Sequence, residues 1–210
     1  TEIEAIVPSM MLTQGIAANY SQKLEQALMQ NGVSLLAKSA VAASEGQGRI
    51  SVATVNASTF LQDKILHQEV FGPYSLIVKC ANEKELAEVA ESIEGQLTTT
   101  FMATSQDIKE HEGLLVILQE KCGRLIFNNV PTGVEVSLSM HHGGPFPAST
   151  DSRFTSVGAD GIKRFARPIC YQNCDDQFLP DELKNANPLQ LFRTVNNVLT
   201  KDPINAKIPT

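Results

Sequence analysis

The 210-residue chain is poor in several things. It has only four cysteines, Cys80, Cys122, Cys170 and Cys174, with no C-x-x-C spacing among them. That is too few for a disulfide scaffold, so reduced thiols in a cytoplasmic protein are the expectation. It has no apolar run of about eighteen residues, so no membrane-spanning helix is expected, and no basic-then-apolar signal segment opens it. It also lacks a basic field: 17 Lys and Arg stand against 23 Asp and Glu, for a net charge of −6. This argues against nucleic acid or an anionic membrane as a partner, while leaving room for one local anion pocket. What it does have is 42% apolar residues, enough for a sizeable core, and only 19% charged ones. It begins at Thr1 with "TEIEAIVPSMM", an apolar-periodic opening that reads like the middle of something longer.

Periodicity predicts a helix from about Ser9 to Gln30, with Ile16, Tyr20, Leu24 and Leu28 on one face, stopped at Asn31-Gly32. Val33–Ala37 and Ile50–Val55 read as strands, and Thr59–Leu66 as a short helix. Tyr74–Cys80 is an apolar run of strand length. Asn82 then offers a cap and Glu85 sits three residues on, ahead of a helical stripe of Leu86, Val89, Ala90 and Ile93. Leu97–Ala103 is β-rich, Ser105 can cap a helix carrying Ile108, Leu115 and Leu118, and Arg124–Phe127 is another strand. Strand, helix, strand, helix, strand predicts α/β: an open, mainly parallel twisted sheet with flanking helices, plus a C-terminal strand near Pro168–Tyr171 and a tail. A short helix at Asp160–Phe165 and a tail helix at Pro188–Leu199 complete the expectation.

About thirty residues after Asn128 show little periodicity. Loops of that length inside a compact domain are functional or disordered, and this one follows the carboxyl end of a strand, where open α/β sheets bind ligands. The strand-to-helix turns "CANEKE" and "TSQD" lack the glycines that admit a pyrophosphate, and there is no G-x-x-x-x-G-K-[ST]. The segment is therefore not a dinucleotide-binding fold by itself. "HQEVFGPYSLIV" differs: Glu69, Phe71 and a Gly72-Pro73 turn put a carboxylate and a flat ring at a strand entrance. The plain alternative is a turn with Phe71 in the core and Glu69 in solvent.

"QEVFGP" resembles the E-[IV]-F-G-P signature of the aldehyde dehydrogenase superfamily, "GRLIFNN" its G-x-[LV]-x-[VIF]-N strand, and "GGPFPASTDSRFTSVGADGIKRFARP" its closing loop, short helix and final strand. "PTGVEV", "HHGGPFPASTDSR" and "TSVG" are most similar to the branch that oxidises α-ketoglutaric semialdehyde to 2-oxoglutarate. The likeness covers essentially the whole chain. It implies NADP or NAD as cofactor, a small aldehyde as substrate, and a homo-oligomeric parent enzyme. It also implies a cysteine thiolate that attacks the carbonyl and a glutamate that activates water. In the family the nucleophile sits in G-Q-x-C upstream of E-x-F-G-P. None of the four cysteines matches, and the glutamate base and glycine-rich cofactor turn have no counterpart either. The resemblance thus implies residues 1–175 as the catalytic domain after the nucleophile and 176–210 as a tail. The Rossmann domain, which binds most of the cofactor, lies outside this chain. The 210 residues alone are then expected to be inactive.

By position, the resemblance assigns Glu69 to the nicotinamide-ribose hydroxyls, Phe71 to the nicotinamide and Phe146 to the aldehyde tunnel. The chain reads "PFPAST" where most of the superfamily has "PFGG". Asn129 closes a strand before the long loop and is as readily a turn residue as a substrate contact. His142 of the His141-His142 pair is a substrate hydrogen-bond candidate or a plain loop histidine; without a third ligand no metal is expected. Arg153 could fork a substrate carboxylate or pair with Asp151 or Asp160. Two other readings stay open: a non-catalytic oligomerisation or scaffold module, and an unrelated enzyme using Cys122 or Cys174.

Overall fold

A computed structural model describes residues 2–131, 133–134 and 136–204. The chain divides into two compact units between Arg164 and Phe165. The first runs through α1 (Glu2–Ala5), β1 (Ser9–Met10), α2 (Gln14–Leu28), β2 (Ser34–Lys38), β3 (Gln47–Gly48) and β4 (Ser51–Asn56). It continues through α3 (Ala57–Gln62), β5 (Tyr74–Lys79), α4 (Glu83–Ser92), β6 (Gln96–Phe101), α5 (Ser105–Glu110), α6 (Glu112–Lys121) and β7 (Cys122–Phe127).

The first helix is shorter than its periodicity predicted. Thr13 accepts a hydrogen bond from Ile16 N at 3.1 Å and caps it, and Ser9–Met10 instead pair antiparallel with β3. Ala17, Tyr20, Leu24 and Ala27 form its buried stripe. The second helix is split. Asp63 accepts from Ile65 N at 2.9 Å, which ends α3 and starts a single 3-10 turn at Lys64–His67. Asn82 caps α4 as expected, its Oδ1 taking Glu85 N at 3.0 Å while Glu85 reaches back to Ala81 N at 2.7 Å. The next cap is Thr104 rather than Ser105: Thr104 Oγ1 takes Asp107 N and Asp107 returns the bond to Thr104 N, a reciprocal box.

The sheet comes in two pieces. β4 is flanked by β2, antiparallel, and β5, parallel, with Ser51 opposite Tyr74 and Asn56 opposite Lys79. β6 and β7 form a separate parallel pair, Gln96 opposite Cys122 and Phe101 opposite Phe127. The fold is thus α/β with parallel pairs and flanking helices. Among the described residues the outer edges of β5 and β6 have no strand partner. Helix α4 serves both pieces. Its Val89 lies in the core of Val55, Ala57, Phe60 and Leu66, and the adjacent Ala90 lies in the core of Phe101 and Leu114. Each large apolar side chain buried there contributes about 1.5–3 kcal/mol. α4 connects the end of β5 to the start of β6.

The second unit corrects two expectations. Pro168–Tyr171 is not a strand: it pairs with nothing among the described residues, and Pro168 brings no N–H to a ladder. Pro188–Leu199 is not a helix. Asn187, Gln190, Asn196 and Asn197 take left-handed backbone angles, and β8 (Arg193–Val195) folds back on β9 (Val198–Thr200) across the Asn196-Asn197 turn. Asn187 is fully buried and closes this unit, its amide donating to Leu191 O and Lys201 O and accepting from Leu191 N.

Candidate functional site

The turn Gln68–Pro73 lies at the amino end of β5, and its geometry is set from α2. Tyr20 is 2% exposed. Its ring packs so closely on Gly72 that any Cβ there would overlap it. Its hydroxyl lies 2.7 Å from Arg49 O and 3.2 Å from Pro73 O, a single proton shared between the carbonyls that lead into β4 and β5. Burial pushes the Tyr20 pKa up, so the hydroxyl stays a donor. Pro73 O also accepts from Ser51 N at 3.0 Å, and Tyr74 N closes a tight turn on Gly72 O at 2.7 Å. At the other end, Lys23 Nζ donates to Gln68 Oε1 at 2.8 Å and Gln68 N to Ile65 O at 3.2 Å. Between these anchors Glu69 and Phe71 point outward. Phe71 is 56% exposed, and Glu69 is exposed with no hydrogen-bond partner among the described residues. An acceptor carboxylate and an open aromatic face suit a ribose diol and a flat ring.

The long loop does not stay at the carboxyl end of β7. Asn128 does: its side chain exchanges two hydrogen bonds with Ala103, at 2.8 and 2.7 Å, and Asn129 Oδ1 caps Val130 N at 2.8 Å. From there the chain runs back along β7, held by Arg124 Nη1 on Gly133 O at 3.0 Å. Residues 132 and 135 of "PTGVEV" lie outside the described residues. Gly143 and Gly144 then press against the amino ends of β6 and β7. A Cβ on Gly123 would overlap Gly143 O, and one on Gly144 would overlap Gln96 O. Backbone meets backbone there, which only glycine permits.

This separates the expected site residues. Phe146, 81% exposed, sits beside Gly95 just before β6. Asn129 sits at the opposite end of β7. His142 is anchored through its main chain, with His142 N on Thr155 Oγ1 at 2.8 Å and His142 O accepting from Ser156 N and Oγ; its ring Nδ1 is buried without a partner among the described residues. Arg153 is engaged with Asp151, Nε and Nη2 reaching the two carboxylate oxygens at 2.9 and 2.6 Å. That pairing lowers the Asp151 pKa to about 2. Asp160 pairs with Lys163 instead. Among the thiols, burial and then the Glu85 carboxylate push Cys80 up, opposite to what a nucleophile needs. Among the described residues no group of His, Cys, Asp and Glu could hold a metal. Tyr20 and Arg124 were not singled out from the sequence as site residues. A tyrosine in a helical stripe reads as core, and only the arginine inside an apolar strand carried a signal.

The arrangement matches one family. The sequence profile described as the aldehyde dehydrogenase family covers residues 11–166, and the chain belongs to it. The chain is 43% identical over 93% of its length to an alpha-ketoglutaric semialdehyde dehydrogenase of Acinetobacter baylyi. It is 44% identical over 87% of its length to alpha-ketoglutaric semialdehyde dehydrogenase 2 of Azospirillum brasilense. It spans 38% and 35% of those two proteins' lengths. In fold it resembles a succinic semialdehyde dehydrogenase of Streptococcus pyogenes solved with NADP+. The TM-score is 0.51 at 20% identity, covering 64% of this chain and 28% of that one.

Proposed function

We propose that this chain forms the cofactor- and substrate-facing wall of an NAD(P)-dependent aldehyde dehydrogenase that oxidises α-ketoglutaric semialdehyde to 2-oxoglutarate. The observation that carries the reading is the Gln68–Pro73 turn: rigidly held from behind, with Glu69 and Phe71 left free in front. In the parent enzyme Glu69 accepts hydrogen bonds from the nicotinamide-ribose hydroxyls, and the Phe71 ring limits where the nicotinamide can lie. Phe146, exposed beside the start of β6, bounds the aldehyde path. The bound nicotinamide supplies the hydride acceptor. Asn129, His142 and Arg153 belong to the wider loop. For Arg153 to hold a substrate carboxylate it must leave Asp151.

The attacking thiol and the base that activates water come from the remainder of the parent, as does most of the cofactor site. Two features support this division: the unpaired edges of β5 and β6, and the share of the relatives that the chain spans. The exposed Phe165, Ile169 and Tyr171 support a homo-oligomeric parent whose closing segment is covered by another subunit. The unpaired thiols fit a reducing cytoplasm.

The test is an assay of the full-length parent and of the 210-residue chain with α-ketoglutaric semialdehyde and either NAD+ or NADP+. The parent turns over and the chain alone does not. Turnover by the isolated chain, abolished by a Cys→Ser change within it, overturns the reading. A parent that binds neither nucleotide leaves the scaffold reading in its place.

A further inference from the structure

We propose that α2 is the positioning element for the cofactor-facing arm, with Tyr20 and Lys23 fixing the two ends of the span that presents Glu69 and Phe71. This rests on the reading of Glu69 given above. Residues 20 and 23 are one helical turn apart and share a face. Lys23 holds Gln68, just before Glu69, and Tyr20 holds Gly72 and Pro73, just after Phe71. Glu69, Val70 and Phe71 are thus bridged between two contacts made by one rigid helix. An exposed carboxylate with no partner among the described residues has no local reason to stay in one place. Its direction comes from the backbone on either side.

The two contacts differ in strength. The Lys23–Gln68 bond is exposed and competes with water, so it is the lesser one. The Tyr20 hydroxyl is buried and is the shorter of two donors on Arg49 O, at 2.7 Å against 3.4 Å from Ser51 Oγ; removing it leaves that carbonyl with the longer bond alone. Pro73 O keeps its bond from Ser51 N, so the turn survives Tyr20→Phe but is tethered on one side fewer. The ring remains to pack against Gly72. Tyr20 touches neither cofactor nor aldehyde and acts only through the arm, so its effect belongs to cofactor binding and hydride transfer rather than to the thiol.

The experiment is a double-mutant cycle in the full-length parent, with NAD+ and NADP+ affinities measured by calorimetry and single-turnover hydride transfer followed at the reduced nicotinamide. Tyr20→Phe is expected to weaken the nucleotide by about tenfold with the KM for aldehyde little changed, and Lys23→Met by about twofold. In a Glu69→Gln background, Tyr20→Phe is expected to add less than about twofold, because the group it aims is gone. An equal Tyr20→Phe effect in both backgrounds means a general structural role and overturns the proposal. So does an unchanged affinity in Tyr20→Phe while Glu69→Gln weakens binding. If Glu69→Gln itself changes nothing, the underlying reading of Glu69 fails and this inference falls with it. Should Tyr20→Phe not fold, Lys23→Met carries the same cycle: its roughly twofold effect is expected to vanish in the Glu69→Gln background, and an undiminished effect there overturns the proposal.

Discussion

The Gln68–Pro73 turn, ahead of β5, and the Gly143–Pro147 stretch, against the starts of β6 and β7, are held in place by different means. The turn is held by side chains: a buried tyrosine behind Gly72 and a lysine on Gln68. The loop is held by main chain laid on main chain, with Gly143 and Gly144 against Gly123 and Gln96. A side-chain clamp can be tuned, because a ring can tilt and a hydroxyl can be removed. A backbone contact allows no such adjustment.

The sharpest way to break the comparison is to add one methyl group on each side. Gly123→Ala drives a Cβ into the Gly143 carbonyl, which cannot move without dragging the loop off the sheet. A loss of about 3 kcal/mol in chemical denaturation is expected. Gly72→Ala meets the Tyr20 ring instead, and about 2 kcal/mol is expected, less than at Gly123. Equal costs would mean that the ring is as immovable as a carbonyl. Next in size is Thr155→Val. The buried Thr155 hydroxyl accepts from His142 N and donates to Val157 O at 2.7 Å. Its removal is expected to cost about 1–3 kcal/mol and to expose the His142 amide to hydrogen exchange.

The smallest effect concerns Asp151. Its pKa of about 2 is below the ordinary carboxylate value, so the Arg153 pairing contributes fully above about pH 4 and is lost as pH falls through 2. The pair lies at the surface, so little global stability rides on it. Arg153→Gln should return the Asp151 carboxyl to ordinary titration, read by NMR, with the thermal midpoint at neutral pH almost unmoved.

The sequence made the parallel strands, the covering helices and the Asn82 cap legible, because apolar spacing and capping residues act within a few positions of themselves. It also located the E-V-F-G-P turn. It did not reveal which cap wins between adjacent Thr104 and Ser105, since either residue can supply the oxygen and Asp107 favours Thr104 by returning a bond. It misread residues 188–199 because apolar residues between two turns fit a helix as well as a hairpin. The left-handed asparagines that decide the matter have ordinary side chains. The route of the long loop was hidden as well. Contacts between glycines distant in sequence leave no periodic trace, and a loop after a strand's carboxyl end need not stay there.

Helix α4 has one more consequence. Val89 and Ala90 are neighbours in sequence yet seal two different cores, so neither piece of sheet can lose its helical cover without uncovering the other. The two pieces of sheet share no ladder, but they are mechanically linked through a single peptide bond's length of helix. They should therefore melt in one cooperative transition rather than in succession.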